Sequence, residues 1–239
     1  MTSNPFSSQA TSGGLMVIAC GALAKEILEI QRINNLPFDL SCVPAAIHNT
    51  PQEIPEAVEK KILEARAKNQ KIFVAFADCG TGGQLDAVLN KYEVQRLPGA
   101  HCYEFYSTSL VFLEMMEEEI GTFFLTDFLA RHFEALVIKG LGLDKHPELK
   151  PMYFGHYKRL VYLSQSHDED LRQRAREAAQ KLGLEFAYRY TGFGDLEHSL
   201  KMVVFSEHVK ETTLAEDTLA LMGSANAAYK ENILEDAGG

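Results

Sequence analysis

Four residues of this chain have side chains suited to metal or nucleophilic chemistry: Cys20, His48, Cys79 and Cys102. Their separations are 28, 31 and 23 residues, each about the length of one strand-plus-helix unit. Each follows a short apolar run that reads as a strand. In an open parallel sheet the ligand site lies outside the carboxyl ends of the strands. One rim would therefore collect three thiols and an imidazole without any short-range ligand motif. Thiolates and a neutral imidazole suit zinc, and also iron. A catalytic ion keeps three protein ligands and one open position. His48, Cys79 and Cys102 supply those three, with Cys20 as a fourth ligand or a separate nucleophile. Helix N-termini directly after Cys20 and Cys79 are expected to lower the thiol pKa values. Cys42, inside a strand, reads as core. His101 and Cys102 alternate faces of an extended segment, and Cys102 is the expected ligand.

The run Asp78-Cys79-Gly80-Thr81-Gly82-Gly83 is a glycine-rich turn from strand to helix. Gly80, Thr81, Gly82 and Gly83 are expected to bind part of a cofactor, cradling an anion on backbone N–H groups. The competing reading is a tight turn that needs positive φ. The Lys-Ser/Thr ending of a phosphate-binding loop is absent. Asp78 and Glu104 flank the expected ligands. Either is suited to act as a general base or to orient a ligand, and either is suited to cap a helix. Thr191-Gly192-Phe193-Gly194-Asp195 is a second turn of this kind. Asp127 and Arg131 are spaced as an i,i+4 ion pair on a helix. Tyr153-Phe154-Gly155-His156-Tyr157 reads as an aromatic packing patch, with the lining of a pocket mouth as the competing reading.

These residues need elements to hold them. Leu15–Ala19, Phe38–Ile47, Lys71–Ala77, Leu160–Leu163, Glu185–Tyr190 and Met202–Phe205 read as strands, with Val94–Ala100 as a weaker strand or loop. Helices are expected after Gly21, after Thr50-Pro51 with Thr50 as cap, from Gln84 to Tyr92, and from His101 to Glu119. Thr122–Leu141 is expected as one long amphipathic helix and Pro147–Tyr157 as a shorter one. Another is capped by Ser166, buries Leu171, Ala175, Ala178 and Leu182, and stops at Gly183. Strands alternating with helices of about four turns make an α/β fold. The expected architecture is an open, mostly parallel Rossmann-like sheet of five to seven strands, flanked by helices. Residues 1–14 are expected as a disordered tail, 15–209 as one domain, and 210–239 as a C-terminal helix and tail.

Composition narrows the function classes. The chain has 239 residues, 23 Lys and Arg against 33 Asp and Glu, and a net charge of −10. That balance argues against a nucleic-acid binder, whose surface is normally basic. No apolar run approaches a membrane span, and the first residues carry no signal pattern. A cytoplasmic protein without a membrane partner is expected. There the four cysteines stay as thiols.

The stretches Ala19-Cys20-Gly21-Ala22-Leu23, Ile47-His48-Asn49-Thr50-Pro51, Asp78-Cys79-Gly80-Thr81-Gly82-Gly83, His101-Cys102-Tyr103-Glu104 and Gly121-Thr122-Phe123-Phe124-Leu125-Thr126-Asp127 together carry a resemblance. They resemble the prokaryotic domain-of-unknown-function family numbered sixteen thirty-eight, from about Leu15 to about His198. Genes of that family often lie near those of corrinoid-dependent methylamine methyltransferases. The resemblance thus implies, by association, a role in one-carbon or methylamine metabolism.

The expected function is a metal-dependent enzyme, a transferase or hydrolase, holding one zinc or iron per chain. Its substrate would be a small thiol or an amine-derived one-carbon compound. One alternative is a non-catalytic accessory protein that binds a corrinoid or a metal. Its partner would be a corrinoid protein or methyltransferase. Another is a metal-free enzyme with Cys79 or Cys20 as nucleophile. A homo-oligomer is compatible with each.

Overall fold

The computed structural model describes residues 14–207. Apart from Gly14, the expected N-terminal tail lies outside the described residues, as does the expected C-terminal helix from residue 210. One compact unit of the chain ends at Leu200 and a second begins at Lys201. The described part of the second, 201–207, is helical. The strand expected over Met202–Phe205 is therefore helix. A four-residue apolar run is too short for its period to decide between the two.

The fold is α/β, with helices flanking parallel strands in two sheets rather than one. The first sheet holds β1 (Leu15–Cys20), β2 (Phe38–Val43), β3 (Lys71–Ala75) and β4 (Gln95–Arg96), in the order β2-β1-β3-β4. β1 is buried along its whole length, as a central parallel strand covered on both faces must be. Its register sets Cys20 opposite Val43 and Ala19 opposite Ala75. β2 lies at the edge, and Pro44 after it cannot donate to a ladder. The extended stretch expected to Ile47 stops at Val43, and Ala45–Asn49 form a 3-10 turn instead.

α1 (Ala24–Asn34) follows β1 and buries Ile27 and Ile30; α2 (Ile54–Arg66) follows β2 and buries Val58 and Ile62. Thr50 makes no side-chain cap bond. Pro51 opens a separate 3-10 turn, and α2 begins only at Ile54. α3 (Gln84–Lys91) connects β3 to β4. The helix expected from His101 is broken at Thr108, whose φ of 63° is left-handed. It divides into a 3-10 turn at Cys102–Tyr106 and α4 (Ser109–Glu118).

The second sheet runs β5 (Thr122–Leu125), β6 (Arg159–Ser164) and β7 (Glu185–Tyr190), in that order. The long helix expected over Thr122–Leu141 is corrected here. Its first four residues are β5, and Thr126 caps α5 (Asp127–Phe133) by accepting from the Leu129 N–H. A π-helical stretch, Glu134–Lys139, continues from α5. Alternate residues of the strands separate to the two faces. Leu125, Leu160 and Tyr162 pack with α5, α6 (Lys150–Phe154) and α7 (Glu169–Leu182), while Phe124, Val161 and Leu163 pack with Met115 of α4. α7 is capped by Asp168, not Ser166, and ends at Gly183 with φ 80°. The expected Asp127–Arg131 pair does not form. Asp127 is buried and accepts from Tyr162 Oη, Gln165 N–H and Ser166 Oγ, tying β5 to β6. No helix among the described residues is long and apolar enough to cross a membrane.

Candidate metal centre

The order β2-β1-β3-β4 reverses direction between β1 and β3. A crevice opens at the carboxyl ends of such a pair, because their connections leave in opposite directions. Cys20 ends β1, and Cys79 stands just past β3. The flanking strands bring the rest. The 3-10 turn after β2 carries His48, and the one after β4 begins with Cys102. Two backbone bonds, Asp78 N–H to Gly99 O at 3.2 Å and Cys79 N–H to Ala100 O at 2.9 Å, dock these last two segments on each other.

The outcome is a compact group of donors. One ring nitrogen of His48 and the Sγ atoms of Cys79 and Cys102 all lie within 4.8 Å of one another and can hold a metal ion. The two sulfurs are 3.2 Å apart. Donors placed about 2.0 to 2.3 Å from a tetrahedral ion stand roughly 3.5 Å from each other, so the group is near the required spacing. His48 Nδ1 is 2.9 Å from the Ala45 carbonyl oxygen. A carbonyl only accepts, so Nδ1 carries the proton and the Nε2 lone pair faces away for a ligand. Backbone orientation of the remote ring nitrogen is the usual support of a metal-binding imidazole. Phe76 stacks on the same ring at 5.9 Å.

Cys20 stands beside this group. Its Sγ is 4.0 Å from both ring nitrogens of His48 and accepts from the Ala22 N–H at 3.3 Å. All four cysteines are free thiols, with Cys20 buried and Cys79 and Cys102 half-buried. Cys42 is half-buried in β2, apart from the donors. His101 is exposed and stacked on Tyr103 at 4.9 Å, leaving Cys102 as the donor of that pair.

Crowding shapes the protonation of these groups. The Cys79 thiol is pushed up, first by its hydrogen bond with Cys102 and then by burial. The Cys102 thiol is pushed up chiefly by its hydrogen bond with Cys20, with burial adding to this. Burial pulls the His48 imidazole down, but its contacts with Cys79 and the Ala45 carbonyl outweigh that and leave it raised. The expected lowering of Cys79 by a helix N-terminus does not occur, because α3 begins only at Gln84. A coordinated dication reverses this order, since it takes the place of the thiol proton.

The glycine-rich turn serves the protein's own carboxylate. Asp78 accepts from Thr81 Oγ1 at 2.6 Å, Gly83 N–H at 2.9 Å and Gly82 N–H at 3.1 Å. These bonds, that from Thr81 foremost, hold its pKa below the ordinary value. The amides expected to cradle an external anion are thus already engaged. Gly80, Gly82 and Gly83 have positive φ, and so does Cys79, at 50°. A non-glycine residue held there is uncommon, and here the conformation carries the Cys79 thiol at the turn. Glu104 turns to the neighbouring bend, where its Oε2 accepts from the Ala100 N–H at 3.2 Å. Neither Asp78 nor Glu104 lines the cleft over the donors.

That cleft, of about 390 Å³, is lined from both sheets. Cys20, His48, Cys79 and Cys102 lie on the side of the first sheet; Phe123, Phe128, Leu129, Val137, Leu141 and Phe154 lie on the other. α5 packs on the 3-10 turn Gly21–Leu23 and closes one side. The sequence reading missed this wall, because β5 was merged into a helix. Its signal was Thr126-Asp127, a cap directly before an apolar helical period. Phe154 fulfils both readings of its aromatic cluster: it lines the cleft and packs on Phe123 at 5.4 Å.

Comparison with curated proteins and with solved structures gives no match. A family model matches residues 42–200, a span that includes His48, Cys79 and Cys102 and begins after Cys20. With well over half of its length matched, the chain belongs to the family described as protein of unknown function (DUF1638).

Proposed function

We propose that this protein is a metal-dependent enzyme, a transferase or hydrolase, that holds one zinc or iron on His48 Nε2, Cys79 Sγ and Cys102 Sγ. The carrying observation is the convergence of these three donors, from three separate connections, at the switch point of a parallel sheet and against an apolar cleft. Two sulfurs and one nitrogen form a soft donor set, which suits zinc and iron better than a hard cation. Three ligands leave one position for a substrate. The bound ion would supply Lewis acidity, lowering the pKa of a thiol or polarising a carbonyl.

The chain's own residues prepare that position. Ala45 fixes the tautomer of His48 and its ring plane. The strained backbone at Cys79 aims its sulfur across at Cys102. The apolar wall excludes water and strengthens every electrostatic interaction inside. The substrate is a small thiol or an amine-derived one-carbon compound. A cleft of about 390 Å³ suits such a molecule better than a corrinoid, which in this proposal belongs to a partner. The raised thiols of Cys79 and Cys102 count against a metal-free nucleophile.

The test is metal content by plasma mass spectrometry on untagged protein purified without chelator. Wild type is expected to carry about one zinc or iron per chain, the stoichiometry of a single donor set. Cys79→Ser and Cys102→Ser are expected to lose it. Cys20→Ser is expected to keep it, since Cys20 acts as a neighbour. Wild type without metal after anaerobic reconstitution would overturn the proposal. Loss in Cys20→Ser would instead make Cys20 a fourth ligand.

A further inference from the structure

The wall opposite the donors carries information about what enters. Among the described residues lining the cleft there is no Lys, Arg, Asp or Glu. The backbone nest at Gly82–Gly83 is occupied by Asp78. The Arg96 guanidinium is engaged by both carboxylate oxygens of Asp86, and Arg131, two residues past Leu129, is not among the lining residues. On the wall away from the donor group and His101, a phosphate, carboxylate or sulfonate would therefore find no counter-charge. Charged groups moved out of water without a partner are strongly disfavoured. The surfaces offered opposite the donors are instead mainly hydrocarbon, with Thr126 among them: Phe123, Phe128, Leu129, Val137, Leu141 and Phe154. Phe128 and Leu129 are only half-buried, so both have apolar surface left for a ligand to cover.

We infer that the cleft selects an uncharged thiol with a hydrocarbon tail, its sulfur at the donor group and its tail against α5 and the π-helical stretch. This rests on the proposed metal site and names its substrate class. A soft head group belongs at a soft donor set, and the tail belongs against the apolar wall. Each methylene buried there contributes about 0.8 kcal/mol, which is about a fourfold gain in affinity.

Cobalt(II)-loaded full-length protein tests this, because its ligand-field bands report both the protein donors and an added thiol. Ethanethiol, propanethiol, butanethiol and hexanethiol are titrated beside 3-mercaptopropionate and cysteamine. Affinity is expected to rise by about fourfold per methylene. The anionic and cationic thiols are expected to bind at least tenfold more weakly than propanethiol. Leu129→Ala is expected to weaken hexanethiol by about tenfold, the effect of truncating a contact of about 1.4 kcal/mol, and to leave ethanethiol and the cobalt bands unchanged. Cobalt bands that respond to thiols with no dependence on chain length, or with charged thiols binding as tightly, would overturn the inference and leave the metal site standing. Absence of cobalt bands in wild type would overturn both.

Discussion

At the scale of single residues, this protein places polar groups where burial disfavours them. The donor group gains from this, since a dication compensates crowded thiols. Glu26 in α1 has no such compensation. It is 4% exposed, and its Oε2 lacks a hydrogen-bond partner. Burial lifts its pKa; its own backbone N–H opposes the rise, and the charge of Asp127 adds to it. A carboxyl raised in the folded state holds its proton where the unfolded chain has released it. Stability therefore falls as pH rises from the ordinary carboxyl value through the raised one, and stays lower above it. Glu26→Gln keeps the shape and removes the charge. Thermal melts from about pH 5 to about pH 8 should show a flatter profile for the variant, with a midpoint at neutral pH higher by about 2 to 4 °C for each kcal/mol recovered. A variant less stable than wild type at neutral pH would mean that Glu26 has an ionic role.

At the scale of elements, what could be read in the sequence depended on length and period. Lys71–Ala75 was legible as a strand because a run of apolar residues ends at a glycine-rich turn, and α7 because its buried residues recur at helical spacing. The donors were legible for the same reason: they follow strands, and parallel topology puts strand ends on one rim. β5 was not legible. Its four residues, Thr122–Leu125, lead straight into α5, so a two-residue and a 3.6-residue period run together without a break. The engagement of Asp78 by its own loop was also hidden, since an anion-binding nest and a filled one share a sequence. Gly194 shows what spacing alone conceals. It looks like a turn glycine, with φ +48°, but a Cβ there would lie 2.5 Å from the Tyr106 carbonyl carbon and oxygen. Tyr106 is buried and lines the cleft. Gly194→Ala is expected to cost roughly 2 to 4 kcal/mol, as left-handed strain and overpacking combine. Gly142→Ala has φ +71° but open space, and should cost only about 1 to 2 kcal/mol of strain. Urea midpoints compare the two, and equal losses would show that the Tyr106 contact relaxes freely.

At the scale of the whole molecule, the donor group lies where connections meet. His48, Cys79 and Cys102 arrive on the segments after β2, β3 and β4, and α5 of the second sheet's wall packs on the turn after β1. Within the described residues, no covalent link joins these segments, since all four cysteines are free. An ion held by the three donors would therefore cross-link connections that otherwise rely on a few backbone bonds. Linkage gives the magnitude: an ion present at about a thousand times its Kd adds about 4 kcal/mol to folding. In a domain of this size that corresponds to a thermal midpoint roughly 8 to 16 °C higher. A chelator should remove that increment from wild type and leave Cys79→Ser unchanged. Hydrogen exchange should show where it is lost, with protection falling first in 45–49, 78–83 and 99–106 and little changed in β6 and α7, whose packing does not depend on the donors. Should the midpoint fall while protection in those segments is unchanged, the donors are positioned by the sheet alone and the site is preorganised rather than assembled by its ion; a midpoint that does not fall at all would mean that the ion binds the folded and unfolded chains alike.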